Sequence, residues 1–206
     1  MSSPSSLDEL LDRLRQAQQE LEHELDHLLE EKRRKFQYHV ERGKVVFEQN
    51  VRRIQKEYRT GLWRYIADAP LLYLLSAPFI YAMIFPLVLL DLSITLYQRV
   101  CFPVYRIPAV KRADYMVIDR QHLAYLNPIE KLNCMYCGYA NGLMAYGREI
   151  TARTEQFWCP IKHARRTLDT HHRTSRFLDY GDAKAWHSEL GKLRDDWKSD
   201  PGGCRD

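Results

Sequence analysis

A long apolar stretch that begins at residue 69 most constrains how this chain can fold. Residues 69–90 are 22 consecutive residues without a charged side chain, and they are rich in Leu, Ile, Phe and Tyr. About 20 apolar residues suffice for a helix to cross the roughly 30 Å hydrocarbon core of a bilayer. The sequence therefore predicts that this part of the chain lies in a membrane.

Prolines and a continuation of the apolar composition argue against one straight span. Pro70, Pro78 and Pro86 punctuate the stretch, and apolar character resumes after Asp91. Basic residues flank it on both sides, so the tendency of positive charge to stay on the cytoplasmic side gives no asymmetry. We expect a re-entrant or interfacial helical hairpin over residues 67–105, bent at Pro78 or Pro86 with Asp91 near the surface, and with both soluble regions facing the cytoplasm. One full span and a purely soluble core are the alternatives.

Leucines at heptad spacing predict a coiled-coil-like helix near the N-terminus. Leucines recur every seven residues at Leu7, Leu14, Leu21 and Leu28, and Leu11 and Leu25 fall four residues after two of them. Such a narrow seam is typical of a helix that pairs with one other helix. We expect a parallel homodimer or a partner helix at this seam. An antiparallel hairpin with the chain's own next helix is the alternative.

A second apolar stripe extends the predicted arm to residue 66. Its members recur every three or four residues and are Phe47, Val51, Ile54, Tyr58, Leu62 and Tyr65. This spacing places them on one face of a helix. The opposite face is basic and directly precedes the apolar stretch, which favours attraction to anionic lipid headgroups. We therefore predict that residues 1–66 form one long amphipathic arm.

Four potential metal ligands lie in the C-terminal half. Cys134 and Cys137 are followed by Cys159 and His163, a Cys-x2-Cys pair and a Cys-x3-His pair. Thiolates and imidazole at such spacings can close a tetrahedron around one zinc ion. Because four protein ligands leave no open position for water, we predict a structural zinc site within a helical domain of residues 106–198.

An iron-sulfur cluster is the alternative cofactor. The Cys-x3-His spacing of the second pair is similar to that of the CDGSH iron-sulfur proteins, whose first pair is Cys-x-Cys rather than the Cys-x2-Cys present in this chain. That resemblance implies a membrane-anchored iron-sulfur protein. Cys134 and Cys137 could instead act as a redox dithiol, and cysteines buried only for packing are the remaining alternative.

Helix signals surround these ligands. Residues 139–158 carry an apolar stripe at helical spacing. A helix of that length extends about 30 Å, so the chain must turn back for the four ligands to meet. Gly138 and Gly142 offer possible breaks. A new helix is expected to start at Cys159, which precedes a proline, and the last helix near Asp182.

A second and weaker candidate set consists of acidic residues and one histidine. Its members are Asp119, His122, Glu130 and Glu149, which could build another metal or acid–base site. More often such residues are a helix cap and an ordinary histidine. We expect Asp119 to cap a helix that reaches towards Leu132, after a β-favouring run at residues 115–118.

These observations predict an all-α, membrane-attached protein. Its predicted parts are an arm at residues 1–66, a membrane hairpin at 67–105, a Cys3His domain at 106–198 and a disordered tail at 199–206. The net charge of +4 is modest, and DNA-binding zippers carry their basic region before the zipper rather than after it, so no nucleic-acid partner is expected. We expect an adaptor or assembly protein rather than an enzyme. A membrane-bound oxidoreductase or electron carrier is the alternative.

Overall fold

The computed structural model describes residues 6–41, 44–165 and 167–197, and the chain is mostly helical, as predicted. The elements in chain order are α1 (Ser6–Lys35), β1 (Tyr38–Glu41), β2 (Lys44–Phe47), α2 (Gln49–Glu57), α3 (Leu62–Ala67), α4 (Leu71–Ala82), α5 (Ile84–Tyr105), α6 (Pro128–Trp158) and α7 (Ala183–Asp195). Contacts divide the chain into two units, Met1–Arg64 with Asp119–Lys131, and Tyr65–Ile118 with Leu132–Asp206. The predicted tail at residues 199–206 lies outside the described residues.

In the first unit, a β-hairpin interrupts the predicted helical arm. Strands β1 and β2 pair antiparallel with Tyr38 opposite Phe47, and the two rings are 5.4 Å apart. Valine supplies three of the residues in these strands, and its branched side chain favours extended backbone. The apolar stripe after Gly43 is therefore divided between β2 and two short helices, α2 and α3.

Helix α1 exposes its leucine seam. The side chains of Leu14, Leu21, Leu25 and Leu28 are all exposed, whereas those of Leu7 and Leu11 lie outside the described residues. Thirty helical residues extend about 45 Å. A partner helix at this seam stays a prediction.

The prediction of a helix from Asp119 to Leu132 is wrong, because a capping box places the start of the helix at Pro128. Asn127 N donates to the Glu130 carboxylate at 2.8 Å, and Glu130 N donates to Asn127 Oδ1 at 3.0 Å. This reciprocal pair, with proline at the first helical position, defines the start of α6. Asp119 instead precedes a short 3-10 turn that includes His122.

In the second unit, α4 and α5 are separated only by Met83. The backbone angles of Met83 are helical, with φ −63° and ψ −12°. Pro78 lies within α4, and Pro86 lies in the first turn of α5, where a missing N–H is tolerated. The segment therefore does not reverse direction at Pro78 or Pro86, and the expected hairpin is not formed.

The core of the second unit lies between α5 and α6, which run side by side in the same direction. Tyr139 Oη donates to Asp91 at 2.9 Å, and further along both helices the rings of Tyr105 and Phe157 are 5.1 Å apart. The buried apolar residues of this core are Leu87, Phe102, Ile107, Val110, Leu143, Tyr146 and Ile150.

Residues 107–118, named the return segment, run back along α6. Near its start, Arg153 Nη1 donates to the Pro108 carbonyl oxygen at 2.8 Å. Near its end, the carbonyl oxygen of Tyr115 would lie only 2.8 Å from a Cβ added at Gly142. The predicted β-favouring run at residues 115–118 does not form a strand. The backbone of the return segment instead packs directly against α6.

After α6 the chain has little regular structure until α7. The helix expected to start at Cys159 is wrong, because Ile161 instead forms an isolated parallel bridge with Leu178. The predicted start of the last helix is confirmed, since the Asp182 side chain accepts from Ala185 N at 2.9 Å.

Candidate functional site

The four predicted metal ligands lie at opposite ends of α6. Cys134 and Cys137 lie near its beginning, whereas Cys159 follows its last residue and His163 lies beyond. A rise of about 1.5 Å per residue separates Cys137 from Cys159 by about 33 Å, whereas ligands of one zinc ion lie about 2.0–2.3 Å from it. The described residues contain no group of three or more His, Cys, Asp or Glu side chains arranged to hold a metal ion. The structure therefore does not bring the four together, and a zinc or iron-sulfur cofactor stays a prediction.

Helix α6 is continuous because its glycines are packing positions rather than breaks. A Cβ at Gly138 would lie 3.3 Å from the Val117 carbonyl oxygen, and one at Gly142 would clash with the backbone of Tyr115. Both glycines therefore let the return segment approach α6 closely. The predicted metal site required the chain to turn at Gly138 or Gly142.

The second ligand pair belongs to an exposed, basic loop. Cys159 and His163 are both exposed. His163 lines an open depression of about 450 Å³ together with Lys162 and Arg165. Lys162 Nζ lies 2.8 Å from the carboxylate of Asp179.

Glu149, from the second candidate set, has a structural role. Its buried carboxylate lies 2.8 Å from Arg153 Nε and 2.6 Å from Arg173 Nη2. Arg173 also donates to the Gln156 side chain at 2.9 Å. This buried network fixes the loop before α7 on α6, and it explains Glu149 without invoking acid–base chemistry.

Helices α4 and α5 carry many exposed apolar side chains. On the outer face of α5, Phe85, Leu89, Leu92 and Leu96 recur every three or four residues and are 76, 66, 65 and 63% exposed. The exposed apolar residues of α4 include Leu71, Leu72, Tyr73, Leu75 and Phe79. Together these residues form what we name the apolar ridge. Among the described residues, Leu71–Tyr105 is a helix long and apolar enough to cross a membrane, and little of it is buried. Exposed apolar surface of this extent marks an interaction site.

The inner face of α5 carries a buried charge. Asp91 accepts from Arg112 Nη2 at 2.7 Å and from Tyr139 Oη at 2.9 Å. Burial raises the pKa of the Tyr139 phenol, and the hydrogen bond to Asp91 and its negative charge raise it further, against the opposing charge of Arg112. Tyr139 therefore remains a neutral donor to Asp91.

Sequence reasoning missed this cluster of Asp91, Arg112 and Tyr139. Its only signal was one carboxylate within an apolar stretch, which commonly marks a buried ion pair. The partners lie 21 and 48 residues further along the chain, so no local pattern links them to it.

A second polar anchor follows two turns later on the same face. The buried side chain of Gln98 accepts from Val110 N at 2.8 Å and donates to Tyr146 Oη at 3.0 Å. Gln98 thereby joins α5, the return segment and α6. The inner face of α5 is thus fixed by specific polar contacts as well as by apolar packing.

Comparison with protein-family models, with curated proteins and with solved structures finds no match to this chain.

Proposed function

We propose that this protein is a membrane-attached adaptor or assembly protein, held at the lipid surface by α4 and α5. The observation that carries the proposal is the apolar ridge. Each of its large side chains gains roughly 1–2 kcal/mol when it leaves water. Summed over several such residues, this free energy exceeds that of the marginal attachment provided by a single myristoyl chain.

Helix α1 supports the adaptor part of the proposal. Its exposed leucines form a narrow seam, and most of the residues beside that seam are charged or polar. A seam of this width fits one further helix, from a second copy or from a partner protein. The protein would then present a binding helix near the bilayer, with both soluble regions on the cytoplasmic side.

Sedimentation with vesicles tests the attachment. The full chain is mixed with phosphatidylcholine vesicles that contain phosphatidylglycerol, and the bound fraction is measured. Leu92→Glu should weaken binding about tenfold or more, because it removes an apolar contact and places a charge in the lipid. Leu168→Glu is the matched control, since Leu168 is 92% exposed and lies outside the apolar ridge. Equal binding by both variants, or no binding by the unaltered chain, would contradict the proposal.

A membrane-bound thiol oxidoreductase is the second candidate. It is favoured by Cys134 and Cys137, which lie three residues apart on α6 with Cys137 exposed. Residues at this spacing are neighbours on a helix surface. Titration of thiols with and without a mild oxidant tests it: reversible loss of two thiols per chain, abolished in Cys137→Ser, would support a dithiol role.

A further inference from the structure

We infer that α5 lies flat in the membrane interface, with its apolar ridge in lipid and its inner face on the protein, rather than crossing the bilayer. This inference rests on the proposed attachment and specifies its geometry. The starting observation is that the two faces of one helix have different surroundings. Leu87, Asp91, Gln98 and Phe102 are buried on the inner side, whereas the ridge residues on the opposite side are exposed.

The inner face cannot be turned towards lipid. Asp91 and Gln98 both make polar contacts with other parts of the second unit, and those contacts span about two turns of α5. Rotating the helix would leave a carboxylate and an amide without partners, at a cost of several kcal/mol in hydrocarbon. The orientation of α5 is therefore fixed by its own domain.

The return segment excludes hydrocarbon from the protein side of α5. Its backbone is irregular, and it carries the exposed Lys111 and Asp114 close to Arg112, which pairs with Asp91. Irregular backbone exposed to lipid does not occur within the hydrocarbon region, because its polar groups have no partners there. A transmembrane α5 would place this segment at the depth of Asp91. A flat α5 leaves it on the aqueous side.

The outer face also has a feature expected at an interface. Arg99 is exposed, and helical spacing places it on the same side as Leu92 and Leu96. At the shallow depth of an interfacial helix, about 5–10 Å into the headgroup and acyl boundary, its guanidinium can extend to lipid phosphates. The ridge thus combines apolar contact with charge complementarity to anionic lipid.

Depth measurements test this geometry. An environment-sensitive fluorescent amino acid is placed singly at Phe85, Leu92 or Leu96 in the full chain, where exposure leaves packing undisturbed. Vesicles of phosphatidylcholine and phosphatidylglycerol carry nitroxides at different acyl positions, and quenching reports depth. Leu168 serves as the aqueous control position.

A flat α5 predicts the same shallow depth at all three ridge positions. A crossing helix predicts a change of up to about 16 Å between positions 85 and 96, at about 1.5 Å per residue. Graded depth would overturn the inference while leaving membrane attachment intact. Vesicle binding without quenching at any ridge position would also overturn it and would assign attachment to another segment. Failure of the chain to bind vesicles at all would overturn both the inference and the proposed function.

Discussion

Helices α1 and α5 both expose leucines, but the surfaces that they form differ in width and in support. On α1 the exposed leucines form a seam bordered by charged residues, and α1 is a long rod within its own unit. On α5 the exposed face is broad and mainly apolar, with Arg99 at one end, and the opposite face is packed against α6 and the return segment. A narrow seam fits one more helix, whereas a broad face fits a bilayer.

The difference teaches that hydropathy alone does not identify which side of an apolar helix meets lipid. Helix α5 is apolar nearly all round, because its inner side packs in the protein core and its exposed side also carries mainly apolar residues. Its amphipathic character appears only once the contacts of Asp91 and Gln98 are known.

The largest expected effect is the loss of a buried ring on the inner face of α5. Phe102 is 1% exposed in the core, so Phe102→Ala should lower the free energy of unfolding by about 3–5 kcal/mol. Leu21→Ala on α1 is the control, because Leu21 is 67% exposed and should change stability by less than about 0.5 kcal/mol in a monomer. Urea denaturation measures both. A comparable loss in Leu21→Ala would mean that α1 is already packed in a stable dimer.

The next effect tests the contact between α6 and the return segment. In Gly142→Ala the new methyl group would lie 2.8 Å from the Tyr115 carbonyl oxygen, and we expect a net loss of about 1–3 kcal/mol. In Gly191→Ala on α7, where nothing lies within 4 Å, the better helix propensity of alanine should stabilise the protein by about 0.5–1 kcal/mol. Thermal unfolding of both variants measures the contrast. Stabilisation by both would place the return segment away from α6.

The sequence predicted those features that arise from local patterns. The long apolar segment, the first and last helices and the mainly helical content follow from composition, spacing and the Asp182 cap. The β-hairpin at Tyr38 to Phe47 was missed because the same apolar residues also match a helical stripe. The four predicted metal ligands lie apart for a tertiary reason: Gly138 and Gly142, which suggest turns, are required by the distant return segment. Nothing local to α6 reveals that neighbour.

A smaller effect concerns the polar contacts of the inner face. Tyr139→Phe removes the hydrogen bond to Asp91, and we expect a loss of about 0.5–1.5 kcal/mol at neutral pH. Because the pKa of Tyr139 is raised in the folded state, its contribution is fully present below the unfolded value of about 10 and declines as the pH rises through the folded value.

Urea denaturation at neutral pH and at a pH above about 10 separates these two effects. The unaltered chain should lose more stability at alkaline pH than Tyr139→Phe does, since other titrating groups are common to both. An identical alkaline loss in the two proteins would show that Tyr139 does not donate a hydrogen bond to Asp91.

The smallest expected effect addresses the cysteine pairs. Because Cys159 is exposed and α6 separates it from Cys134 and Cys137, Cys159→Ser should change the free energy of unfolding by less than about 0.5 kcal/mol. Cys101→Ser is the control for general loss of a thiol. Metal content is measured in parallel on both variants and on the unaltered chain, with visible absorbance to distinguish iron-sulfur from zinc. If Cys159→Ser alone loses both bound metal and stability, the four ligands must meet after all. Helix α6 would then have to unwind at Gly138 or Gly142, which would also release the return segment and remove the fixed orientation of α5.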